Sequence, residues 1–370
     1  MSNNMTIPSF LSKTRTRLSD AYTDWREGYF GGSLVFKWAL WALLAYALIA
    51  MVMGIYWSQE PDQFNPSVSG LSAPELSIPV VTTNTGPAVK PMVTGLATTN
   101  ALIQVASSVL NKPGGYLSND VFPPGVWLDN IPHWEYGALI QVRDLSKALR
   151  EAFSRSQSQS TEDIDLVVAE PRFNFNTDSW IFPSSESVYQ EGIERLERYR
   201  ERLVDSDKNN AQFYARADNL SYWLGTVETR LGSLSQRLSA SVGQRRINTD
   251  LAGEENASQA TPAPSEMMIK TPWLEIDDVF YEARGTAWAL AHFLRGVDSD
   301  FAEVLRKKNA RISLRQIIRE LEATQEPVYS VMILNGSGFG MLANHSLVMA
   351  SYLSRAHAAI IDIRELLSQG

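Results

Sequence analysis

Apolar residues recur along this chain at alternating intervals of four and three. Phe213, Ala217, Leu220, Leu224, Val227, Leu231, Leu234 and Leu238 keep that rhythm without a break. So do Ile276, Phe280, Ala283, Ala287, Leu290, Leu294, Val297, Phe301 and Val304. Met349, Leu353, Ala356, Ile360, Ile363 and Leu367 repeat it near the C-terminus, and Ala138, Val142, Leu145, Leu149 and Ala152 give a shorter version. A mean interval of ~3.5 residues holds one apolar seam on one helical face over many turns. Several such helices predict an all-α, elongated multi-helix bundle with coiled-coil-like seams crossing at shallow angles. The two longest would run about 30 residues, or ~45 Å. Ala283 and Ala287 leave room for a close neighbour, and Gly225, Gly232 and Ser239 form a second stripe of small residues. The seams fit ordinary packing within the chain; the sharper reading is that one of them pairs with another envelope protein or a second copy.

A different pattern precedes the bundle. From Leu34 to Trp57 every residue is apolar or small except Lys37. That is ~36 Å of helix, enough for a hydrocarbon core of about 30 Å. Lys37 lies near one end, where its ammonium can snorkel. Trp38 and Trp41 fall near one interface, Tyr56 and Trp57 at the other, as amphipathic rings do. Lys13, Arg15, Arg17 and Arg26 precede the span, and no Lys or Arg follows it until Lys90. This asymmetry puts residues 1–33 in the cytoplasm and the bulk of the chain outside. Ala45-Tyr46-Ala47 has the form of a signal cleavage site, but the apolar run continues well past it, which favours an uncleaved anchor. Leu11, Leu18, Tyr22, Trp25 and Tyr29 share one helical face, as in an amphipathic helix lying on the inner membrane surface.

After the span, residues 58–94 carry Pro61, Pro66, Pro74, Pro79, Pro87 and Pro91 among many Ser and Thr. This composition predicts an extended tether reaching on the order of 100 Å, with the helical domain over 95–370. Ser184 or Ser185 can cap a helix ending near Val204, and Ser313 with Gln316 has the form of a capping box. A polar loop is expected over 252–272. Phe173, Phe175, Trp180 and Phe182 suggest a short hairpin within 172–183.

Composition narrows the chemistry. The net charge is −8 with no long basic run, which argues against nucleic acid as a partner. There is no cysteine, so disulfides, thiolate catalysis and Cys-ligated metals are excluded. The four histidines are scattered, without an H-E-x-x-H, and no G-x-S-x-G elbow is present. No cofactor or metal is expected. Asn335 to Gly340 is glycine-rich but matches no phosphate-binding fingerprint. Ser154 to Asp163 reads as the end of one helix and the cap of another, with too few acids for a calcium loop. The strongest candidate for a ligand site is the segment 112–136, rich in Gly, Pro and aromatic residues. Asp120, Asp129 and Glu135 lie there among Trp127, His133 and Trp134. Carboxylates beside aromatic rings are the ingredients of a glycan site. The same residues would equally serve to pack a loop on a bundle end and cap its helices.

Several strings are distinctive: K-P-G-G-Y-L-S-N-D at 112–120, S-R-S-Q-S-Q-S-T-E-D at 154–163, N-A-Q-F-Y-A-R-A-D-N-L at 210–220, R-L-G-S-L-S-Q-R-L-S-A-S at 230–241 and L-N-G-S-G-F-G at 334–340. Together they resemble a family of proteobacterial proteins, domain of unknown function 2333, over nearly the whole chain. The resemblance implies a Gram-negative inner membrane and a periplasmic bulk. It implies no activity, ligand or catalytic residue. The leading reading is a non-enzymatic envelope protein that binds or scaffolds other components. The alternative is an enzyme or binding module acting on peptidoglycan or another glycan through 112–136, and a third is a lipid-handling bundle with an apolar channel.

Overall fold

The computed structural model describes residues 34–66, 93–156, 161–205, 210–247, 266–330, 332–337 and 340–369. The chain divides into two units, Met1–Ile55 and Tyr56–Gly370. Helix α1 (Leu34–Trp57), whose last two residues fall in the second unit, has the bounds that its apolar run predicts. Its stretch Phe36–Trp57 is long and apolar enough to cross a membrane. Leu43, Leu48, Ile49 and Ile55 are exposed, a state that suits hydrocarbon rather than water. The amphipathic helix expected before it falls outside the described residues.

The second unit is helical. In chain order it contains α2 (Leu96–Asn111), α3 (Asn130–Ala148), α4 (Leu166–Phe173), α5 (Ser185–Val204), α6 (Ala217–Ser239), α7 (Ile276–Asp300), α8 (Ala302–Lys307), α9 (Arg311–Ala323) and α10 (His345–Ser368). The four–three seams are real and are buried inside this unit. Leu220, Leu224, Val227, Leu231 and Leu238 of α6 face Leu353, Ala356, Ile360 and Ile363 of α10 in one core. The two helices run antiparallel: Gly225 and Gly232 of α6 lie against Arg364 and His357 of α10. The small-residue stripe is thus filled by long side chains of the chain itself.

Helix α7 is the centre. Every residue from Ala283 to Leu294 is buried, on all sides of the helix. Its seam foretold one buried face. The opposite face, with Arg284, Thr286 and His292, is buried as well, because α2, α3 and α9 surround it. The closest crossing is with α3. A Cβ on Gly137 would lie 2.0 Å from the Glu282 carbonyl, and one on Gly285 would lie 2.0 Å from that of Trp134. Thr286 Oγ1 then donates to the Gly137 carbonyl. The glycines make this approach, next to the alanines that the sequence pointed to.

Four expectations are corrected. The long helix through Val304 stops at Asp300. The Asp300 carboxylate accepts from Thr98 N and Oγ1, both at 2.7 Å, and caps α2, whose N-cap Gly95 has no side chain to do so. The Phe301 ring turns into a cluster with Phe153 and Phe213. The capping box at Ser313 is not formed. Helix α9 begins at Arg311, and Gln316 reaches forward to Glu320. No strand forms within 172–183, where side chains take the carbonyls that a ladder would need. Arg143 binds those of Phe173 and Phe175, Tyr189 that of Asn176, and Ser185 that of Ser179. The hairpin lies instead at β1 (Gln244–Ile247) and β2 (Glu266–Ile269), so the second strand falls inside the stretch 252–272 expected to be a polar loop.

The fourth correction concerns the tether. Its first part, 58–66, lies on the helical unit. Glu60 pairs with Arg284, Phe64 stacks on His292 with ring centroids 3.9 Å apart, and Arg295 donates to the Phe64 carbonyl. Phe64 meets α7 at His292, and Thr98 meets it at Asp300. Those two points are ~12 Å apart along one helix. Residues 67–92 lie outside the described part.

Candidate functional site

The segment 112–136 begins where α2 ends. Gly114 and Gly115 adopt positive φ, and the chain doubles back so that Lys112 Nζ donates to the Gly115 carbonyl. The same ammonium pairs with Glu135, and neither side chain is exposed to solvent. Glu135 also accepts from Leu117 N at 2.8 Å, Ser118 N at 2.9 Å and Ser118 Oγ. Burial pushes its carboxyl up, against the pull of Lys112 and Ser118. Every partner of Glu135 is a donor, so the geometry accommodates the carboxylate. This is a peg holding a loop on α3.

The other expected site residues diverge. Trp134 is fully buried against Trp288, with centroids 5.0 Å apart. Asp129 caps α3 and accepts from Asn130 N at 2.9 Å. Trp127 is exposed on a short helical turn. Asp120 lies in a cleft of about 270 Å³ with Trp57, Phe122, Trp180 and Glu186. Burial, then Glu186, push its carboxyl up, and Lys112 opposes them. The five candidates therefore do not converge on one pocket.

A cleft of about 400 Å³ does form nearby, with Ser118, His133, Tyr136, Arg237, Asp278 and Glu282 among its lining residues. Helix α3 supplies His133 and Tyr136, α6 supplies Arg237, and α7 supplies Asp278 and Glu282. His133 Nε2 lies 3.2 Å from Asp278 Oδ1. Arg237 grips Glu282 with both terminal nitrogens, at 2.7 and 2.6 Å. Burial raises the Asp278 carboxyl above the usual range; His133 opposes this, while Asp277, Asp129 and Glu275 add to it. A second groove of about 410 Å³ shares Arg237 and Glu275 and adds Gln236, Arg246, Lys270 and Thr271. The two grooves together are lined by carboxylates and cations.

The Ser118 hydroxyl that lines this cleft is engaged with Glu135. Among the described residues no group of three or more His, Asp or Glu could hold a metal. The sequence could have signalled part of this cleft, since Asp278 and Glu282 are four apart on one helical face. Arg237, on a different helix, joins them only through the packing of α6 beside α7.

The family model described as an uncharacterized protein conserved in bacteria (DUF2333) matches residues 32–370. No curated protein and no solved structure matches the chain.

Proposed function

The chain belongs to that bacterial family, and from this premise we propose that it is a single-pass inner-membrane protein whose periplasmic helical domain binds a zwitterionic cell-wall ligand without transforming it. The apolar helix α1 and the Lys/Arg asymmetry around it support the topology. One observation carries the binding reading: the Arg237–Glu282 pair and Asp278 line one cleft, with Arg246 and Lys270 in the adjoining groove. Such a surface suits a molecule bearing both ammonium and carboxylate groups, as the peptide stems of peptidoglycan do.

The test is titration of the full chain in detergent with soluble muropeptides and with a peptide-free glycan. Muropeptide binding that falls at least about tenfold in Arg237→Ala is expected, equivalent to ~1.4 kcal/mol. Equal affinity for the peptide-free glycan rejects the reading. A C-terminal reporter active only in the cytoplasm rejects the topology. The raised Asp278 carboxyl beside His133 favours a second reading, general-acid cleavage of the same ligand. Products released by the parent chain and not by Asp278→Asn would establish it.

A further inference from the structure

Two loops of the helical unit hold large apolar side chains out in solvent. One is 121–127, with Phe122 at 71 % and Trp127 at 59 % exposure; the other is 180–182, with Trp180, Ile181 and Phe182, the last at 96 %. Neither loop contains a charged residue. Both are held firmly. Asn119 Nδ2 donates to the Ser179 carbonyl and to Glu186, each at 2.8 Å, and so ties the first loop to the second. Tyr116 OH donates to the Thr177 carbonyl at 3.0 Å. The Phe122 and Trp180 rings meet edge to face, with centroids 6.4 Å apart. Soluble surfaces do not keep such a patch without a partner for it.

Its position identifies the partner. Trp57, the last residue of the apolar helix, lines the same cleft as Phe122 and Trp180. Trp57 is packed so closely on the neighbouring loop that a Cβ on Gly114 would lie 2.6 Å from its ring. The residues after it are latched to the helical unit by the Glu60–Arg284 pair and the Phe64–His292 stack. The patch is therefore bound to the very point where the span ends. Uncharged loops of Trp, Phe and Ile are the composition of a membrane-interface anchor.

We infer that the 121–127 and 180–182 loops are a membrane foot: they insert into the head-group region of the leaflet in which α1 ends. The foot rests on the reading of α1 as a membrane span. It holds the helical unit on the bilayer surface instead of on a long spacer. The acidic floor of the cleft, Asp120 and Glu186, then faces the ammonium groups of zwitterionic head groups.

The absence of cysteine makes the test direct. Phe182→Cys and Trp127→Cys, each in the full chain, receive an environment-sensitive fluorophore. Ile312→Cys, equally exposed but on α9, is the control. The chains are reconstituted into phosphatidylethanolamine–phosphatidylglycerol vesicles carrying a nitroxide at head-group depth. Quenching several-fold stronger at positions 182 and 127 than at 312 is expected. Equal quenching at all three positions, in protein that resists alkaline extraction, overturns the foot and leaves the anchor standing. Release of the chain by alkaline extraction overturns the anchor and the foot with it.

Discussion

The carboxylate of Glu60 and the guanidinium of Arg284 meet at 2.7 Å across 224 positions of sequence. Glu60 follows the apolar helix by three residues, and Arg284 lies in the wholly buried stretch of α7. The other nitrogens of Arg284 serve the carbonyls of Thr324, Gln325 and Glu326 at the end of α9. One side chain thus joins the segment after α1, the central helix and the turn after α9.

Removing Glu60 leaves a buried guanidinium without its counter-charge. Glu60→Ala is expected to destabilise the helical unit by about 3 kcal/mol. Thermal unfolding in detergent checks the loss, and limited proteolysis should show new cleavage within 58–66. An unchanged melting temperature would mean that the pair contributes nothing.

His292 predicts a dependence on pH. Its Nδ1 hydrogen-bonds the Trp288 carbonyl at 2.7 Å, and its Nε2 accepts from Phe64 N at 2.9 Å, so the ring is held neutral. Burial first, and Arg295 as well, push its pKa from 6.5 down to about 4. Below pH 6.5 the unfolded chain takes up a proton that the folded chain refuses. Stability is therefore full above 6.5 and falls as the pH drops toward 4, by about 3 kcal/mol in all. The raised carboxyls of Asp278 and Asp300 act in the opposite sense. The comparison is accordingly between parent and His292→Gln, whose melting temperature should lose this acid-side decline.

The α3–α7 crossing distinguishes two kinds of glycine. Gly137→Ala and Gly285→Ala each drive a methyl into a backbone carbonyl, and should cost about 3 kcal/mol or more. At Gly225 the nearest atoms are the mobile end of Arg364, at 3.2 Å. Gly225→Ala gains helix propensity worth up to about 1 kcal/mol and should be neutral or stabilising. Denaturant titration of the three variants checks the order.

Two carboxylates of the 112–136 segment should behave unlike each other. Glu135→Ala strands the buried Lys112 and the amides of Leu117 and Ser118, a loss of about 4 kcal/mol. Asp129→Ala removes an exposed helix cap worth about 1 kcal/mol. Melting temperatures measured in parallel would refute the peg if the two losses were equal.

By itself the sequence determined the long helices, among them α1, long and apolar enough to cross a membrane. A four–three apolar rhythm sustained over many turns keeps one helical face apolar. The sequence also offered Ser184 or Ser185 as the cap of α5, and Ser184 is the one that accepts from Ser187 N, because that side chain bonds backbone only a few residues away. Only the tertiary structure decided that both faces of α7 are buried. Periodicity marks one face, and a polar residue such as Arg284 or His292 reads as solvent-facing until its distant partner is known. Only packing brought Arg237 to Asp278 and Glu282, while it sent Trp134 and Glu135 inward as core and peg. The Pro-rich stretch after the anchor read as a spacer because composition records stiffness and polarity. Glu60 and Phe64 dock on α7 because the groups that complement them lie more than two hundred residues further along the chain.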